Sequence, residues 1–292
     1  ESEDCDVITA ERGTGLISSI VKKIKKDRVC TDCQNYSIMM SLKKSIPKIK
    51  SSTEPFYNSR IIKDQKEIQI LKKASKIIDE MFEICSKKMK VDQKESELQT
   101  ILMTYAMEQQ MFDTGYKSTL NPLIIAGGPN GALPHAQVTQ RKFKKGDLVV
   151  TDLTLRYKVF VSDATRTFAM GKISSQANED YEIVKESQKL GLKSVRPNVD
   201  CKDIDSACRN YIEEKNYGQY FIHSTGHGIG LEVHELPNVS YRSDTKLKEN
   251  MAITVEPGIY IENKFGIRIE DSLIVKERPV VMHKFTKDLV II

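Results

Sequence analysis

The sequence has no tryptophan, only five histidines and no long hydrophobic run. It lacks both the ~20 consecutive apolar residues that a membrane helix needs and a recognisable signal peptide. We therefore expect a cytoplasmic protein that does not insert into membranes. The motif GxGxxG is absent as well, which argues against a nucleotide-binding fold. The composition, 39% apolar and 29% charged residues, is that of an ordinary globular protein.

The excess of positive charge is small, at +5. Its densest part is a short lysine run that is predicted to be helical, made up of Lys22, Lys23, Lys25 and Lys26. No arginine cluster or interleaved aromatic residue accompanies these lysines. The run is therefore predicted to be a solvated helix face, and no nucleic-acid partner is expected.

The six cysteines are scattered along the chain. Cys30 and Cys33 form a CxxC pair, but no second pair follows at the spacing of a zinc site. The other four are predicted to be small buried residues in a reducing cytoplasm: Cys5, Cys85, Cys201 and Cys208.

Two domains are predicted, residues 1–59 and 60–292. The first stretch is polar and lysine-rich, and residues 51–59 have the composition of a linker. The chain begins with Glu1 rather than methionine, so we expect that its natural start lies further upstream. Beyond residue 60, apolar residues recur at helical spacing from Ile68 to Cys85. Asp92 and Glu95 have the spacing of a capping box that opens a second helix. Two more helices are predicted near residues 177–195 and 203–216.

Short β-rich segments lie between these helices: PLIIAG, DLVVTDLTLRY, VFVSDATRTFAM, MAITVEPGIYI and GIRIEDSLIV. Their residues alternate in polarity or are β-branched, as is typical of strands. Helix pairs followed by strands occur twice, without βαβ alternation. The order predicts an α+β fold with a largely antiparallel sheet and helices on one face.

Four carboxylates interrupt these otherwise apolar strands: Asp152, Asp163, Glu256 and Glu270. A turn near Tyr157 and Lys158 would fold the first two strands into a hairpin and bring both aspartates to one end of the sheet. Neighbouring buried carboxylates cannot all remain ionised without cations. Two divalent cations would balance four negative charges, so the pattern predicts a dinuclear metal site.

Three of the five histidines lie in one stretch, FIHSTGHGIGLEVHELP. His227 is the candidate nitrogen ligand, and the glycines beside it are expected to allow close backbone approach and to adopt positive φ. A site of Asp, Glu and His suits Mn, Co, Fe or Zn better than Ca or Mg. His234 is expected to face the substrate, and His135 to line the same cleft. His223 is predicted to be structural, with a supporting role at the site as the alternative, and His283 to lie at the surface.

These residues resemble the pita-bread metallopeptidases, which include methionine aminopeptidase, aminopeptidase P and prolidase. The likeness extends from about Arg60 to the C-terminus. It implies a pita-bread catalytic domain, with residues 1–59 as the C-terminal part of a creatinase-type α/β domain. The implied metal ligands are Asp152, Asp163, His227, Glu256 and Glu270, and the two substrate-side histidines match His135 and His234.

Two motifs resemble the proline-specific branch of this family, EPGIYI with Tyr260 and GIRIED with Arg268. The resemblance implies an Xaa-Pro dipeptidase. The alternatives are aminopeptidase P, which acts on longer peptides, and a non-catalytic binding module. It also implies a homodimer. One segment departs from the family: Thr154 and Val159 stand where glycines are common, which puts the local backbone geometry in question.

The resemblance also implies a mechanism. Two metals roughly 3.5–4 Å apart could share a bridging water, and the hydroxide formed from it would attack the carbonyl before proline. Mn or Co is expected, with Zn or Fe as alternatives. Glu256 would accept the proton of the water while remaining a ligand, and His234 would stabilise the oxyanion. Arg268 would orient Asp152 or Glu270, with binding of a substrate carboxylate as the alternative. Tyr260 and His223 are assigned to the surroundings of the ligands or substrate.

Overall fold

The computed structural model describes residues 15–24, 29–115 and 123–292. The chain divides into two compact units, Glu1–Ser59 and Arg60–Ile292. Cys5, predicted to be buried, and Lys25 and Lys26, predicted to lie on a solvated helix face, are outside the described residues.

The described residues of the first unit form three helices and a small parallel strand pair. The elements are α1 (Leu16–Lys23), β1 (Cys30–Thr31), α2 (Tyr36–Ser45), β2 (Lys50–Ser51) and α3 (Glu54–Arg60), the last of which ends at the first residue of the second unit. Helix α2 begins after Asn35, whose side-chain oxygen accepts a hydrogen bond from the Ile38 N–H. A small apolar cluster, centred on Leu42, Ile46 and Ile49, stabilises this unit.

The second unit has four long helices, α4 (Gln65–Lys88), α5 (Glu95–Glu108), α6 (Ser175–Ser194) and α7 (Cys201–Glu214). Helix α4 begins with a reciprocal capping box, in which Asp64 accepts from the Glu67 N–H and Glu67 accepts from the Asp64 N–H. No helix among residues 15–24, 29–115 and 123–292 has the length and apolar character needed to cross a membrane.

The capping box predicted at Asp92 and Glu95 is wrong. Asp92 adopts a positive φ of 65°, and the Glu95 carboxylate is buried, where it accepts hydrogen bonds from the Gly127 N–H and from Thr139. At the start of α5 it is Glu97 that accepts a hydrogen bond from the Lys94 N–H. The buried carboxylate stabilises a long-range contact between the helix and the loop after a strand.

The strands of the second unit are short except for one central hairpin. They are β3 (Met111–Phe112), β4 (Leu123–Gly127), β5 (Leu148–Tyr157), β6 (Phe160–Ala169), β7 (Gly226–Gly228), β8 (Glu235–Val239), β9 (Ala252–Val255), β10 (Gly258–Ile261), β11 (Phe265–Arg268), β12 (Glu270–Ile274), β13 (Val280–Val281) and β14 (Val290–Ile291). The main sheet has the order β3-β5-β6-β12-β9-β7-β8, and β4, β13 and β14 pair with its members. All of its described pairs are antiparallel except β14 with β6. The α+β prediction is confirmed.

Alternation along the strands gives the sheet one apolar and one polar face. On β5, Leu153 and Leu155 pack with α4 and α5, whereas Asp152 points to the opposite side. On β6, Ala164 belongs to the helix-packed core and Asp163 to the opposite side. The helices therefore cover one face, and the other face carries the carboxylates.

Two segments that were expected to be continuous strands are each interrupted at a candidate ligand. MAITVEPGIYI is divided into β9 and β10 at Glu256 and Pro257, and GIRIEDSLIV into β11 and β12 at Ile269. Strands β10 and β11 pair with each other in a separate two-stranded sheet. The Glu256 N–H donates to the Thr225 carbonyl instead of to a neighbouring strand of the ladder. These breaks place both glutamates at strand ends.

Candidate metal centre and active-site cleft

A cleft of about 240 Å³ opens on the polar side of the sheet. Nine of the site residues predicted from the sequence line this cleft: His135, Asp152, Asp163, His223, His227, His234, Glu256, Arg268 and Glu270. The tenth, Tyr260, is hydrogen-bonded to two of them, His223 and Arg268. The residues come from distant parts of the chain, so the sheet brings them together.

The hairpin predicted for the two aspartates is confirmed. Strands β5 and β6 pair antiparallel, with Asp152 opposite Thr165 and Thr154 opposite Asp163. The turn lies at residues 158–159, where Lys158 adopts a positive φ of 54°. Because the residues of each of these pairs share one face, both aspartates point into the cleft.

His227 lies on β7, where its neighbours Gly226 and Gly228 permit close backbone approach. A Cβ on either glycine would collide with a carbonyl oxygen, that of Thr254 or of Leu236. The prediction that these two glycines adopt positive φ is wrong. They are required by the narrow spacing between neighbouring backbones.

The ring orientation of His227 follows from a local hydrogen bond. Its Nδ1 lies 3.0 Å from the Gly228 carbonyl oxygen, which can only accept, so Nδ1 carries a proton. Nε2 then points toward Glu256 Oε1 at 3.3 Å and Asp163 Oδ2 at 3.8 Å. A lone pair cannot face two carboxylates without a positive charge between them. Burial disfavours a proton on this ring, but the hydrogen bond and charge of Glu256 raise the pKa of His227 overall.

Asp163, His227 and Glu270 form the tightest part of the site, because each offers a ligand atom and these atoms lie within 4.8 Å of one another. Glu270 Oε2 accepts a hydrogen bond from the Thr165 hydroxyl at 2.6 Å. Its Oε1 is buried and makes no hydrogen bond with any described residue. Asp152 and Glu256 line the same cleft but fall outside this group of three.

The pKa values of the buried carboxylates in the cleft are shifted in different directions. Burial, followed by the negative charges of neighbouring carboxylates, raises the pKa of Asp163 and of Glu270 well above the ordinary values. Burial also opposes ionisation of Glu256, but the hydrogen bond and charge of His227 lower its pKa to about 2. The cluster is therefore short of positive charge.

These observations fit a divalent metal site. A cation between Asp163, His227 and Glu270 would satisfy Glu270 Oε1, accept the lone pair of His227 Nε2, and compensate the carboxylates. Carboxylate oxygens with one imidazole nitrogen are a donor set typical of Mn, Co, Fe and Zn.

Arg268, which is 3% exposed, connects the carboxylates to the far wall of the cleft. Its Nη2 donates to Asp152 Oδ2 at 2.5 Å, and its Nε donates to Thr165 Oγ1, the hydroxyl that contacts Glu270. Its Nη1 donates to the Tyr260 hydroxyl oxygen and to the Pro134 carbonyl. The guanidinium is thus held by partners within the protein.

The chain of hydrogen bonds continues from Tyr260 to His223. Nδ1 of His223 lies 2.7 Å from the Ser224 carbonyl, so Nε2 is the acceptor and the Tyr260 hydroxyl donates to it at 3.0 Å. Burial lowers the pKa of His223 to about 4, so the ring is neutral near pH 7. His223 is hydrogen-bonded on both nitrogens and also lines the cleft.

The two substrate-side candidates lie at different positions around the cleft. The ring of His234 meets that of His227 edge to face, with 4.3 Å between the centroids. Burial, then the charge of His227, lowers the pKa of His234 to about 4. His135 follows the short 3₁₀ helix Gly128–Ala132 and adjoins Pro134, whose carbonyl contacts Arg268.

The loop that carries His234 is held by buried charges. Lys63 Nζ contacts Glu235 Oε2 at 2.8 Å, and both side chains are at most 2% exposed. Glu235 Oε1 accepts from the N–H groups of Leu231 and Glu232. Arg156 Nη1 donates to the Leu231 carbonyl at 2.6 Å. The sequence analysis did not find these residues, because nothing in the local pattern indicates which partner a distant lysine will meet.

The prediction of a surface position for His283 is wrong. Its side chain is fully buried, and Nδ1 lies 3.4 Å from Asp79 Oδ1. The predicted burial of Cys85, Cys201 and Cys208 is confirmed.

The sequence analysis also missed the hydroxyl groups that Thr154 and Thr165 contribute to the site, although both residues alternate with the aspartates on the polar face of their strands.

Taken together, an antiparallel sheet covered by helices on one face and a carboxylate-histidine cleft on the other define a metal-dependent hydrolase. The family model described as metallopeptidase family M24 matches residues 69–277, and the chain belongs to that family of peptidases.

Known relatives agree with this assignment. An Xaa-Pro dipeptidase of Pyrococcus horikoshii is 40% identical over 246 residues, which cover 82% of this chain and 68% of that protein. Among solved structures, an Xaa-Pro dipeptidase from Bacillus anthracis superposes with a TM-score of 0.89 at 36% identity, covering 96% of this chain and 79% of the other. An X-Pro aminopeptidase from Thermotoga maritima gives 0.87 at 31% identity, covering 97% and 81%. The expected pita-bread fold is confirmed.

Proposed function

We propose that the chain is an Xaa-Pro dipeptidase, which hydrolyses the bond between an N-terminal residue and proline in dipeptides. Two observations support the proposal. A dipeptidase of this specificity is 40% identical over most of the chain. The cleft also combines a buried carboxylate cluster with neutral histidines that are suited to hold a peptide.

The metal site in this proposal consists of Asp152, Asp163, His227, Glu256 and Glu270, which hold two divalent cations, Mn or Co in preference to Zn or Fe. The observation that carries it is Glu270 Oε1, a buried carboxylate oxygen without a hydrogen-bond partner among the described residues, beside two further ligand atoms within 4.8 Å. Bound divalent cations activate water as a nucleophile near neutral pH and polarise the carbonyl that is attacked.

The side chains of the cleft supply the remaining steps. Glu256 accepts the proton of the attacking water on a carboxylate oxygen and passes it to the leaving amine. His234 donates a hydrogen bond to the oxygen of the scissile carbonyl. Because its pKa is lowered to about 4, it donates as a neutral imidazole at physiological pH. His135 contacts the peptide from another position on the lining of the cleft.

Arg268 orients Asp152 in this scheme and does not bind a substrate carboxylate. All three of its nitrogens already donate to partners within the protein, including Asp152 and Tyr260. A metal-binding carboxylate that accepts a hydrogen bond from a neighbouring side chain keeps the oxygen that faces the metal in a fixed direction. Tyr260 and His223 continue this hydrogen-bonded support beyond Arg268.

Substrate length tests the proposal. The protein is stripped with EDTA, reloaded with Mn²⁺ or Co²⁺, and assayed with Met-Pro, with the tripeptide Arg-Pro-Pro, and with Met-Ala as the control without proline. We expect metal-dependent release of proline from Met-Pro and little cleavage of Met-Ala. Turnover of the tripeptide alone would assign the chain to aminopeptidase P instead. A reloaded protein without any peptidase activity would indicate a binding module.

Aminopeptidase P is the second candidate because an X-Pro aminopeptidase superposes with a TM-score of 0.87, against 0.89 for the dipeptidase from Bacillus anthracis. The two activities differ in whether the cleft is closed beyond the proline residue. The assay with the longer peptide separates them directly.

The proposal extends to the state of the whole protein. We propose a cytoplasmic homodimer that binds no nucleic acid, with residues 1–59 as part of a creatinase-type domain. The five described cysteines are free thiols, in keeping with a reducing compartment. Light scattering after size-exclusion chromatography tests the dimer, since a mass of 33.2 kDa would identify the monomer.

A further inference from the structure

Thr154 adjoins both candidate aspartate ligands on the β5–β6 hairpin, as does Thr165, whose hydroxyl donates to Glu270 instead. Thr154 pairs directly with Asp163 across the ladder, and it follows Asp152 by two residues on the same strand. Directly opposed residues have Cβ atoms about 4.5–5.5 Å apart, and residues two apart on a strand share a face. The register of the hairpin therefore places the Thr154 side chain between the two carboxylates.

The hydroxyl group of Thr154 lies close to both aspartates. Thr154 Oγ1 lies 2.7 Å from Asp163 Oδ1 and 3.1 Å from Asp152 Oδ1. A hydroxyl carries one proton and donates to one acceptor at a time. The shorter distance assigns the proton to Asp163. Since a β-branched side chain has few χ1 rotamers, the direction of this donor is well defined.

The hydrogen bond determines which oxygen of Asp163 is left for a cation. With Oδ1 held by Thr154, Oδ2 turns toward Nε2 of His227, 3.8 Å away. On Asp152, Oδ1 adjoins the same hydroxyl while Oδ2 accepts from Arg268. Thr154 thus contacts one oxygen of each aspartate, and Arg268 holds the other oxygen of Asp152.

We propose that Thr154 is a positioning residue for the metal centre, whose hydroxyl orients Asp163 by a hydrogen bond, with Asp152 as its second neighbour, and thereby sets the affinity for divalent cations. The proposal rests on the metal site of the proposed function. Outer partners of metal ligands typically change metal affinity by about 10–100-fold when they are removed.

Two substitutions separate the hydroxyl from the shape of the side chain. Thr154→Val keeps the β-branched shape and the strand preference but removes the donor. Thr154→Ser keeps the donor and removes the methyl group. A role in strand packing alone predicts that Ser is the more harmful change, whereas the positioning role predicts the opposite order.

The experiment titrates Mn²⁺ alone into EDTA-stripped wild-type protein and both variants by isothermal calorimetry. Far-UV circular dichroism and thermal unfolding in EDTA establish that the metal-free variants are folded. We expect Thr154→Val to lower the Mn²⁺ affinity of at least one site by about 10–100-fold, and Thr154→Ser to stay within about threefold of wild type. Electron paramagnetic resonance of the bound Mn²⁺ provides a second readout independent of activity.

The outcomes distinguish this inference from the function on which it rests. If wild type binds two Mn²⁺ ions and Thr154→Val binds them equally well, the inference is overturned and the dipeptidase proposal stands. Equal losses in Val and Ser would also overturn it, because they would assign the effect to packing. Wild-type protein that binds no Mn²⁺ would overturn both. Should Thr154→Val not fold, Thr154→Ala replaces it as the variant without a hydroxyl.

Discussion

At the scale of single residues, the most informative atom is Glu270 Oε1. It is buried and has no hydrogen-bond partner among the described residues, whereas Oε2 of the same carboxylate accepts from Thr165. A buried polar atom without a partner costs roughly 1–3 kcal/mol, and more when the group is charged. Such a cost is retained in a native protein where a ligand offsets it, which makes Glu270 the side chain on which metal binding depends most.

Replacing Glu270 by glutamine tests this dependence. The amide keeps the shape and can still accept from Thr165, but it removes the negative charge from the cation site. We expect the loss in kcat/KM with Met-Pro to exceed the about 10–100-fold typical of outer partners, together with loss of one bound metal by elemental analysis. The metal-free variant should be at least as stable as wild type, because a crowded buried carboxylate is gone.

The matched control is Glu262→Gln, which changes the same chemical group at an exposed position. It should leave metal content and kcat/KM unchanged. Full metal content in Glu270→Gln would remove this residue from the ligand set.

At the scale of elements, the loop between β7 and β8 depends on charges that come from elsewhere in the chain. Glu235 closes the loop on itself through the N–H groups of Leu231 and Glu232, and Lys63 neutralises it from just before α4. His234 immediately precedes Glu235, so the ion pair also determines where that histidine lies. The loop is thereby anchored to the core of the catalytic unit.

Breaking this pair on one side should be severe. Glu235→Gln leaves Lys63 as an uncompensated buried charge, so we expect unfolding in urea to require about 3–5 kcal/mol less free energy. The double variant Lys63→Met with Glu235→Gln should recover part of the loss, since no unpaired charge remains. Lys76→Met, in an exposed pair with Glu80, serves as the control and should change stability far less. Additive effects of the Lys63 and Glu235 changes would contradict this coupling.

A second buried ion pair joins β6 to β12 on the helix-covered side of the sheet. Asp271 accepts from Arg166 at 2.8 Å and from Gln188 at 2.9 Å, and Lys287 contacts it as well. Burial opposes its ionisation, but the positive charges of Arg166 and Lys287 lower the pKa of Asp271 below its ordinary value. A carboxylate with a pKa lowered by folding stabilises the fold above its unfolded pKa and loses that contribution at lower pH.

Asp271→Asn should therefore destabilise the protein in a pH-dependent way. In EDTA at pH 7, we expect a loss of about 3–5 kcal/mol in the free energy of unfolding, because Arg166 and Lys287 lose their buried partner. The difference from wild type should shrink as the pH falls below about 4, because the unfolded chain then binds a proton at this aspartate while the folded state, with its lowered pKa, still keeps it ionised. Urea titrations at a series of pH values measure it. A difference that stays constant from pH 7 down to acid unfolding would show that the charge is not responsible.

At the scale of the whole molecule, folding and metal binding are linked, because the carboxylate cluster is assembled from β5, β6, β12 and the segment after β9. The unfolded chain holds these residues far apart and binds cations weakly. Bound cations should therefore stabilise the folded state by about 2.7 kcal/mol at a free concentration 100 times the dissociation constant.

Thermal unfolding measured in EDTA and in increasing Mn²⁺ checks this linkage. We expect the midpoint to rise with Mn²⁺ concentration in wild type and to rise much less in Glu270→Gln. A magnesium salt at equal ionic strength controls for general effects of salt. A midpoint that is independent of Mn²⁺ would contradict a metal site formed by the folded sheet.

The parts of the molecule that the sequence predicted are those with a local signature. Asp152 and Asp163 were recognisable because a carboxylate inside a β-branched run contradicts the strand pattern, and the distance between them allowed a hairpin. The helix that contains Ile68 and Cys85 followed from the spacing of its apolar residues. His227 and the two glutamates could be joined to the site through the demand for charge balance and through resemblance to a family.

The errors share a different cause, which is that the deciding partner lies far away in the chain. Glu95 had the spacing of a cap, but Gly127 and Thr139 provide it with buried donors. His283 is near the C-terminus, yet it packs beside Asp79 of α4. The glycines beside His227 are required by backbones from two other strands rather than by their own φ angles. Such contacts depend on tertiary packing, which no local pattern encodes.

The alternation along the β5–β6 hairpin has a further consequence for how this segment tolerates change. Successive side chains point alternately to the apolar interior and to the cleft, so the positions on both faces depend on the same strand register. Deleting a single residue between Asp152 and Thr154 would exchange the roles of every position beyond it, sending leucines into the cleft and a charged group into the interior. Point substitutions can accumulate in this segment one at a time, whereas a change in its length alters chemistry and stability together.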